Sequence, residues 1–123
     1  MNANELLNYK NWVVAGDVLN SQKYAFRILN SLKLKGYNTV GINPKENSEG
    51  VYKSLQDVPY EIEVIDLCIH PSKGIAIVEE AKKLGIKRVL IQPGAGSQEI
   101  LEFCDANNII AIEGCALVEL SKM

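Results

Sequence analysis

Lys45 follows Asn43-Pro44 at the end of an apolar run, a place where a lysine can pair with a phosphate monoester. A site for a nucleotide with a free ribose diol generally puts an acidic side chain there to accept from the hydroxyls. Asn43, Pro44 and Lys45 favour an extra phosphate on the ribose; a solvated surface lysine is the blander alternative. Upstream, Val13-Val14-Ala15 runs into Gly16-Asp17-Val18. A glycine there lets the backbone turn and approach a ligand, and the amides that open the next helix form a seat for phosphate. The spacing is neither G-x-G-x-x-G nor a P-loop, so a tight turn without ligand is an equal reading. Lys23, at the start of that helix, either adds positive charge near a diphosphate or is simply solvated.

Gln92-Pro93-Gly94-Ala95-Gly96-Ser97 is the densest turn after Gly16, and its glycines would let a diphosphate or a flexible arm lie against the backbone. Ser97 is needed as a helix cap whether or not a ligand binds. His70 is the sole histidine; without a visible acidic or nucleophilic partner it reads as a packing or hydrogen-bonding residue rather than a catalyst. Cys115 reads as a small hydrophobe or as a thiol near the binding mouth. Glu79, Glu80 and Glu99 fall on predicted helices, where a solvated face or a place near an amino terminus explains them without acid–base work.

The elements that must position these residues are legible as changes of period. Val13 to Ala15, Tyr37 to Ile42, Val64 to Ile69, Arg88 to Ile91 and Ile109 to Ile112 read as strands. Between them, Ala25, Ile28, Leu29 and Leu32 share one helical face, with Asn20 or Ser21 as cap and Gly36 as stop. Ile77, Val78, Ala81 and Leu84 share another before Gly85, and Gln98 to Ala106 and Ala116 to Lys122 complete the helices. Residues Lys45 to Tyr60 read as a loop with one short turn around Ser54 and Leu55. Strands alternating with helices predict a doubly wound α/β domain, a mainly parallel sheet with helices on both faces in three layers, α/β/α. Ligands of such sheets bind beyond the carboxyl ends of the strands, where Gly16 to Ser21, Asn43 to Lys45, His70 to Ser72, Gln92 to Ser97 and Gly114 to Cys115 lie.

The chain of 123 residues predicts one domain, with 47% apolar and 23% charged residues. A formal charge of −2 provides no electrostatic reason to expect nucleic acid or an anionic membrane. No signal-like start or spanning apolar segment is present in the sequence, which predicts a cytoplasmic protein. Cys68, Cys104 and Cys115 are widely spaced and suggest neither a disulfide framework nor a metal site.

Taken together, Val14-Ala15-Gly16, Gly36-Tyr37, Ile42-Asn43-Pro44, Ser54-Leu55 with Asp57, Val64-Ile65-Asp66, Pro71, Gln92-Pro93-Gly94 and Cys115 resemble the small stand-alone CoA-binding domain family, from about Glu5 to Glu119. The chain is also similar to the amino-terminal domain of the succinyl-CoA synthetase alpha subunit, whose phosphohistidine lies in a further domain, so His70 does not inherit that role. The resemblance implies a Rossmann-like fold and a site for coenzyme A or an acyl-CoA. That site is built from the turn of Gly16, Asp17 and Val18 with Lys23, the corner of Asn43, Pro44 and Lys45, the turn of His70 and Pro71, and the turn of Gln92, Pro93 and Gly94. Two positions depart from the family pattern: Asp17-Val18 stands where relatives commonly carry Ala-Ser, and Ile69-His70 where many carry an aromatic–arginine pair. The expected function is non-catalytic binding of this small nucleotide ligand, with no protein partner specified. An NADP-binding enzyme or redox sensor, and a protein-interaction module that has lost its ligand, are the alternatives.

Overall fold

Val13, Val14 and Ala15 are wholly buried in strand β1 (Asn11–Gly16), because both faces of that strand are covered. The computed structural model describes residues 1–46 and 48–123. On one side β1 pairs with β2 (Asn38–Ile42), and β3 (Val51–Tyr52) lies beyond it. On the other side come β4 (Val64–Cys68), β5 (Arg88–Ile91) and β6 (Ile110–Glu113). The order is β3-β2-β1-β4-β5-β6 and every pairing is parallel. Chain progression reverses between β1 and β4, which is the switch point of a doubly wound sheet.

Alternation along each strand sorts the core into two layers. Val13, Ala15, Ile65, Leu67 and Ile91 face α3 (Pro71–Leu84) and α4 (Gln98–Ala106) through Ile77, Ala81 and Ile100. Trp12, Val14, Val64 and Leu90 face α2 (Tyr24–Leu34), α5 (Ala116–Ser121) and α1 (Ala3–Leu6) through Ile28, Leu32, Ala116 and Leu6. The three-layer α/β/α arrangement expected from the strand and helix periods is therefore present.

Three local features differ from the sequence reading, each for a reason in hydrogen bonding. Asn20 and Ser21 do not cap α2: the Asn20 side chain accepts from the Gln22 amide at 3.0 Å, and the Lys23 amide donates to the Asn20 carbonyl at 2.9 Å. That turn delays the helix to Tyr24 and leaves Lys23 at its N-cap without a side-chain cap. The amino terminus forms α1 through a capping box, with the Glu5 amide donating to Asn2 at 3.0 Å and the Asn2 amide to Glu5 at 3.1 Å. The segment read as a loop supplies edge strand β3 and, as expected near Ser54 and Leu55, a 3-10 turn over Leu55–Asp57 that Glu80 holds by accepting from the Leu55 amide at 2.9 Å. Asn47 of that segment lies outside the described residues. No helix among the described residues is long and apolar enough to cross a membrane.

Candidate functional site

Gly16 and Cys68 are register partners at the carboxyl ends of β1 and β4. A Cβ on Gly16 would lie 2.3 Å from the Cys68 carbonyl oxygen and 3.0 Å from the Ala25 Cβ, so the glycine is required by the approach of strand and helix themselves. Above this junction opens a crevice of about 380 Å³, lined by Asp17, Lys23, Tyr24, Cys68, His70 and Lys73. It adjoins a second of about 310 Å³ through the shared residues Tyr24 and Cys68, where Pro93, Cys115 and Val118 make the wall mainly apolar. A third, of about 390 Å³, continues past Gln92 and Pro93 to Gly94 and Gly114. The three follow the carboxyl edge of β1, β4, β5 and β6.

The cations of this edge sit where helices disfavour them. Lys23 occupies the N-cap of α2 and Lys73 the first turn of α3, both at positive dipole ends with no acidic residue in either first turn. The first-turn amides of α2 have no side-chain cap and lie beside Tyr24 and Ala25 in the crevice wall. Lys45 approaches Lys73, and its side chain, first as a donor that favours the neutral Lys73 amine and then as a like charge, pushes the Lys73 pKa below the ordinary lysine value. The Asn43 side chain accepts from the Lys45 amide at 3.1 Å and the Asn43 amide donates to Tyr52 at 2.9 Å, fixing the corner at Pro44 that presents Lys45. Asp17, exposed in the same crevice, is the one carboxylate among the lining residues of its charged end.

His70 is the N-cap of α3: its Nδ1 accepts from the Ser72 amide at 3.1 Å and lies 2.8 Å from the Ser72 hydroxyl, while Pro71 fills the first helical position. This is the hydrogen-bonding use that a lone histidine suggests. Gln92 is buried, its side-chain oxygen accepting from the Ala116 amide at 2.8 Å, so it ties the turn after β5 to the start of α5. Gly94 has φ +87°, and a Cβ there would meet nothing within 4 Å, so this stretch of backbone is open to solvent.

Val18 stands apart from the other candidates. Its side chain is 2% exposed and packs over Gly41, where a Cβ would meet Val18 Cγ2 at 2.4 Å. It fills the core beneath the loop, whereas Gly16, Asp17, Lys23, Lys45, His70, Pro71, Gln92, Pro93 and Gly94 all belong to the carboxyl edge. Lys73, Tyr24, Cys68 and Val118 join the site without having been site candidates in the sequence. Lys73 had a local signal, a cation in the first turn of a helix; the others depend on strand order.

Beneath the crevice, Asp66 is fully buried with neither carboxylate oxygen hydrogen-bonded, and burial pushes its pKa well above the ordinary carboxylate value. Burial, then Asp66, then Cys115 push the Cys68 thiol up to about 12.

A model of the CoA binding domain family matches residues 10–121, which is nearly the whole chain. The chain belongs to the CoA-binding domain family. Among solved structures, it is similar to a conserved hypothetical protein from Pyrococcus furiosus, 31% identical over 90% of this chain and 99% of that one, with a TM-score of 0.82. A hypothetical protein from Pyrococcus horikoshii OT3 is 29% identical over 95% of this chain and 85% of its own, with a TM-score of 0.87. The same fold occurs in an acetyl-coenzyme A synthetase from Ca. Korarchaeum cryptofilum, solved with phosphate and ADP; this chain aligns over 94% of its length with 28% of that larger protein, at 21% identity and a TM-score of 0.71.

The residues present fit the group that the family name implies. Lysines and uncapped helix amides gather at one end of the crevices and apolar side chains at the other, matching a ligand with phosphates at one end and an uncharged, flexible arm ending in sulfur at the other.

Proposed function

We propose that this protein binds coenzyme A or an acyl-CoA in the crevice above the β1–β4 switch point, without transforming it. The observation that supports this most directly is the placement of Lys23 and Lys73 at positive helix ends, with Lys45 turned toward Lys73. Each arrangement is unfavourable for the protein alone and becomes favourable when a polyanion arrives. Lys45 and Lys73 take the phosphate on the adenosine ribose; Lys23 and the first-turn amides of α2 take the diphosphate; the wall of Tyr24, Pro93 and Val118 receives the thiol arm. Bound coenzyme A supplies a thiol that carries acyl groups as thioesters. Binding rather than catalysis is favoured because the sole histidine, His70, already uses Nδ1 as a helix cap, and the neighbouring Cys68 thiol is held protonated by burial.

Calorimetric titration with coenzyme A, dephospho-CoA and NADP tests the reading. Coenzyme A is expected to bind about ten-fold or more tightly than dephospho-CoA, the scale of a hydrogen-bonded charged phosphate. Lys45→Ala removes that difference while leaving dephospho-CoA affinity nearly unchanged. Absence of heat and of thermal stabilisation with saturating coenzyme A would end the proposal, and a response to NADP alone would replace it with an NADP site.

A further inference from the structure

Two of the three cysteines, Cys68 at the end of β4 and Cys115 just before α5, line the same apolar crevice of about 310 Å³. They come from different elements, separated in the sheet by β5. Their meeting depends on Gln92, whose buried side chain accepts from the Ala116 amide at 2.8 Å and draws the start of α5 over the strand ends. The third, Cys104, is fully buried on the opposite face of the sheet under α4.

We infer that Cys115 is a site of thiol–disulfide exchange with pantetheine-type disulfides that lodge in this crevice, forming a reversible mixed disulfide with the ligand. The inference rests on the coenzyme A reading, since the lysines at the far end select the nucleotide and so bring its sulfur arm among Tyr24, Pro93, Val118 and Cys115. In the exchange the Cys115 thiolate attacks one sulfur of the ligand disulfide. That S–S bond breaks, a Cys115–ligand S–S bond forms, and the departing thiolate takes up the proton Cys115 released. The Cys115 sulfur is oxidised and the departing sulfur reduced, so the ligand disulfide is the only oxidant needed. Cys68 is the bystander of the pair. Burial, Asp66 and Cys115 together push its thiol up to about 12, where almost none is thiolate at neutral pH. Asp66, unpartnered and fully buried, shows that the floor beneath Cys68 is too poorly solvated to favour any negative charge.

Intact-protein mass spectrometry after incubation with coenzyme A disulfide, and separately with glutathione disulfide, decides the matter. The wild type, Cys68→Ser and Cys104→Ser are expected to gain one coenzyme A moiety, removable by a phosphine, whereas Cys115→Ser and Cys115→Ala gain none. Coenzyme A disulfide should react about ten-fold or more faster than glutathione disulfide, because binding holds the reacting sulfurs together. Circular dichroism of both Cys115 variants confirms that loss of the adduct is not loss of fold. An adduct mapped to Cys68 or Cys104, or equal rates with the two disulfides, overturns the inference. Reduced coenzyme A titrated with phosphine present separates the two levels: if it binds but Cys115 stays unmodified, the exchange site falls and the binding function stands. If it does not bind, both fall.

Discussion

Val18 and Gly41 offer a quantitative test of whether the first loop is shaped by ligand or by core packing. Val18 is 2% exposed, and a Cβ built on Gly41 would lie 2.4 Å from its Cγ2 and 3.3 Å from its Cβ and Cγ1. Val18→Ala removes two buried methyl groups, about 0.8 kcal/mol each by transfer, and the residual cavity brings the loss to about 2 kcal/mol. Gly41→Ala alone forces Val18 or β2 to move, an overpacking cost of about 1–3 kcal/mol, partly offset by about 0.5–1 kcal/mol for replacing glycine within a strand. In the double variant the added methyl enters the space the valine vacated, with only the Cβ at 3.3 Å left to accommodate. Its loss is then expected to be about 0.5–1 kcal/mol, smaller than that of Val18→Ala alone. Urea unfolding of the four proteins reads the coupling, about 2–3 kcal/mol, as midpoint shifts at constant slope. Additivity of the two substitutions to within about 0.5 kcal/mol would refute the packing account. A Val18→Ala protein of unchanged stability and altered coenzyme A affinity would return Val18 to the ligand site.

Further expectations concern the charges. Burial raises the Asp66 pKa above its unfolded value, so the folded chain binds one more proton between the two and stability falls as pH rises through that window. Asp66→Asn is therefore expected to have a higher urea midpoint than the wild type at neutral pH, an advantage that disappears as pH falls below about 4, the unfolded value. Lys45 depresses the Lys73 pKa in the free protein, and a bound phosphate raises it again. Coenzyme A binding should then take up a proton, with affinity falling as pH rises through the free-state Lys73 value, and Lys73→Met should flatten that slope in calorimetry across buffers of different ionisation enthalpy. Asp17→Ser removes the opposing carboxylate of the charged end and should tighten coenzyme A binding by roughly two- to five-fold at low salt, a gain that shrinks as salt is added.

What was legible in the sequence follows from how local each feature is. Val13 to Ala15 and Arg88 to Ile91 declare buried parallel strands because covering both faces leaves no polar alternation, and the helical faces at Ile28 and Ile77 declare their partners. From that order alone the carboxyl edge of the sheet is known, so Asn43, Lys45, His70 and Gln92 could be placed on it. Whether Gly16 serves a ligand or the chain itself was not legible: the demand comes from the Cys68 carbonyl, on a strand far along the chain that becomes a neighbour only once the sheet forms. The same holds for Val18 against Gly41, and for Val118, which reaches the crevice with α5 under the Gln92–Ala116 hydrogen bond, whereas Cys115 was already read as a thiol near the binding mouth. Short edge strand β3 has too few residues to show a period at all.

Lys73 marks the boundary between these two kinds of knowledge. Its position in the first turn of α3 violates a local rule that the sequence displays openly, since a cation there opposes the helix dipole and no acidic residue in that turn compensates. Its approach to Lys45, from the end of another strand, violates a second rule that only the folded chain can display. A lone misfit charge is ordinary surface noise. Two misfit charges that approach each other at one strand edge have a common remedy, an anion between them, and natural chains tend to break local consistency where function requires it. On the proposed reading, the electrostatic cost carried by the protein alone is relieved by a bound anion, and that relief should be measurable as the proton uptake and phosphate selectivity predicted for this lysine pair.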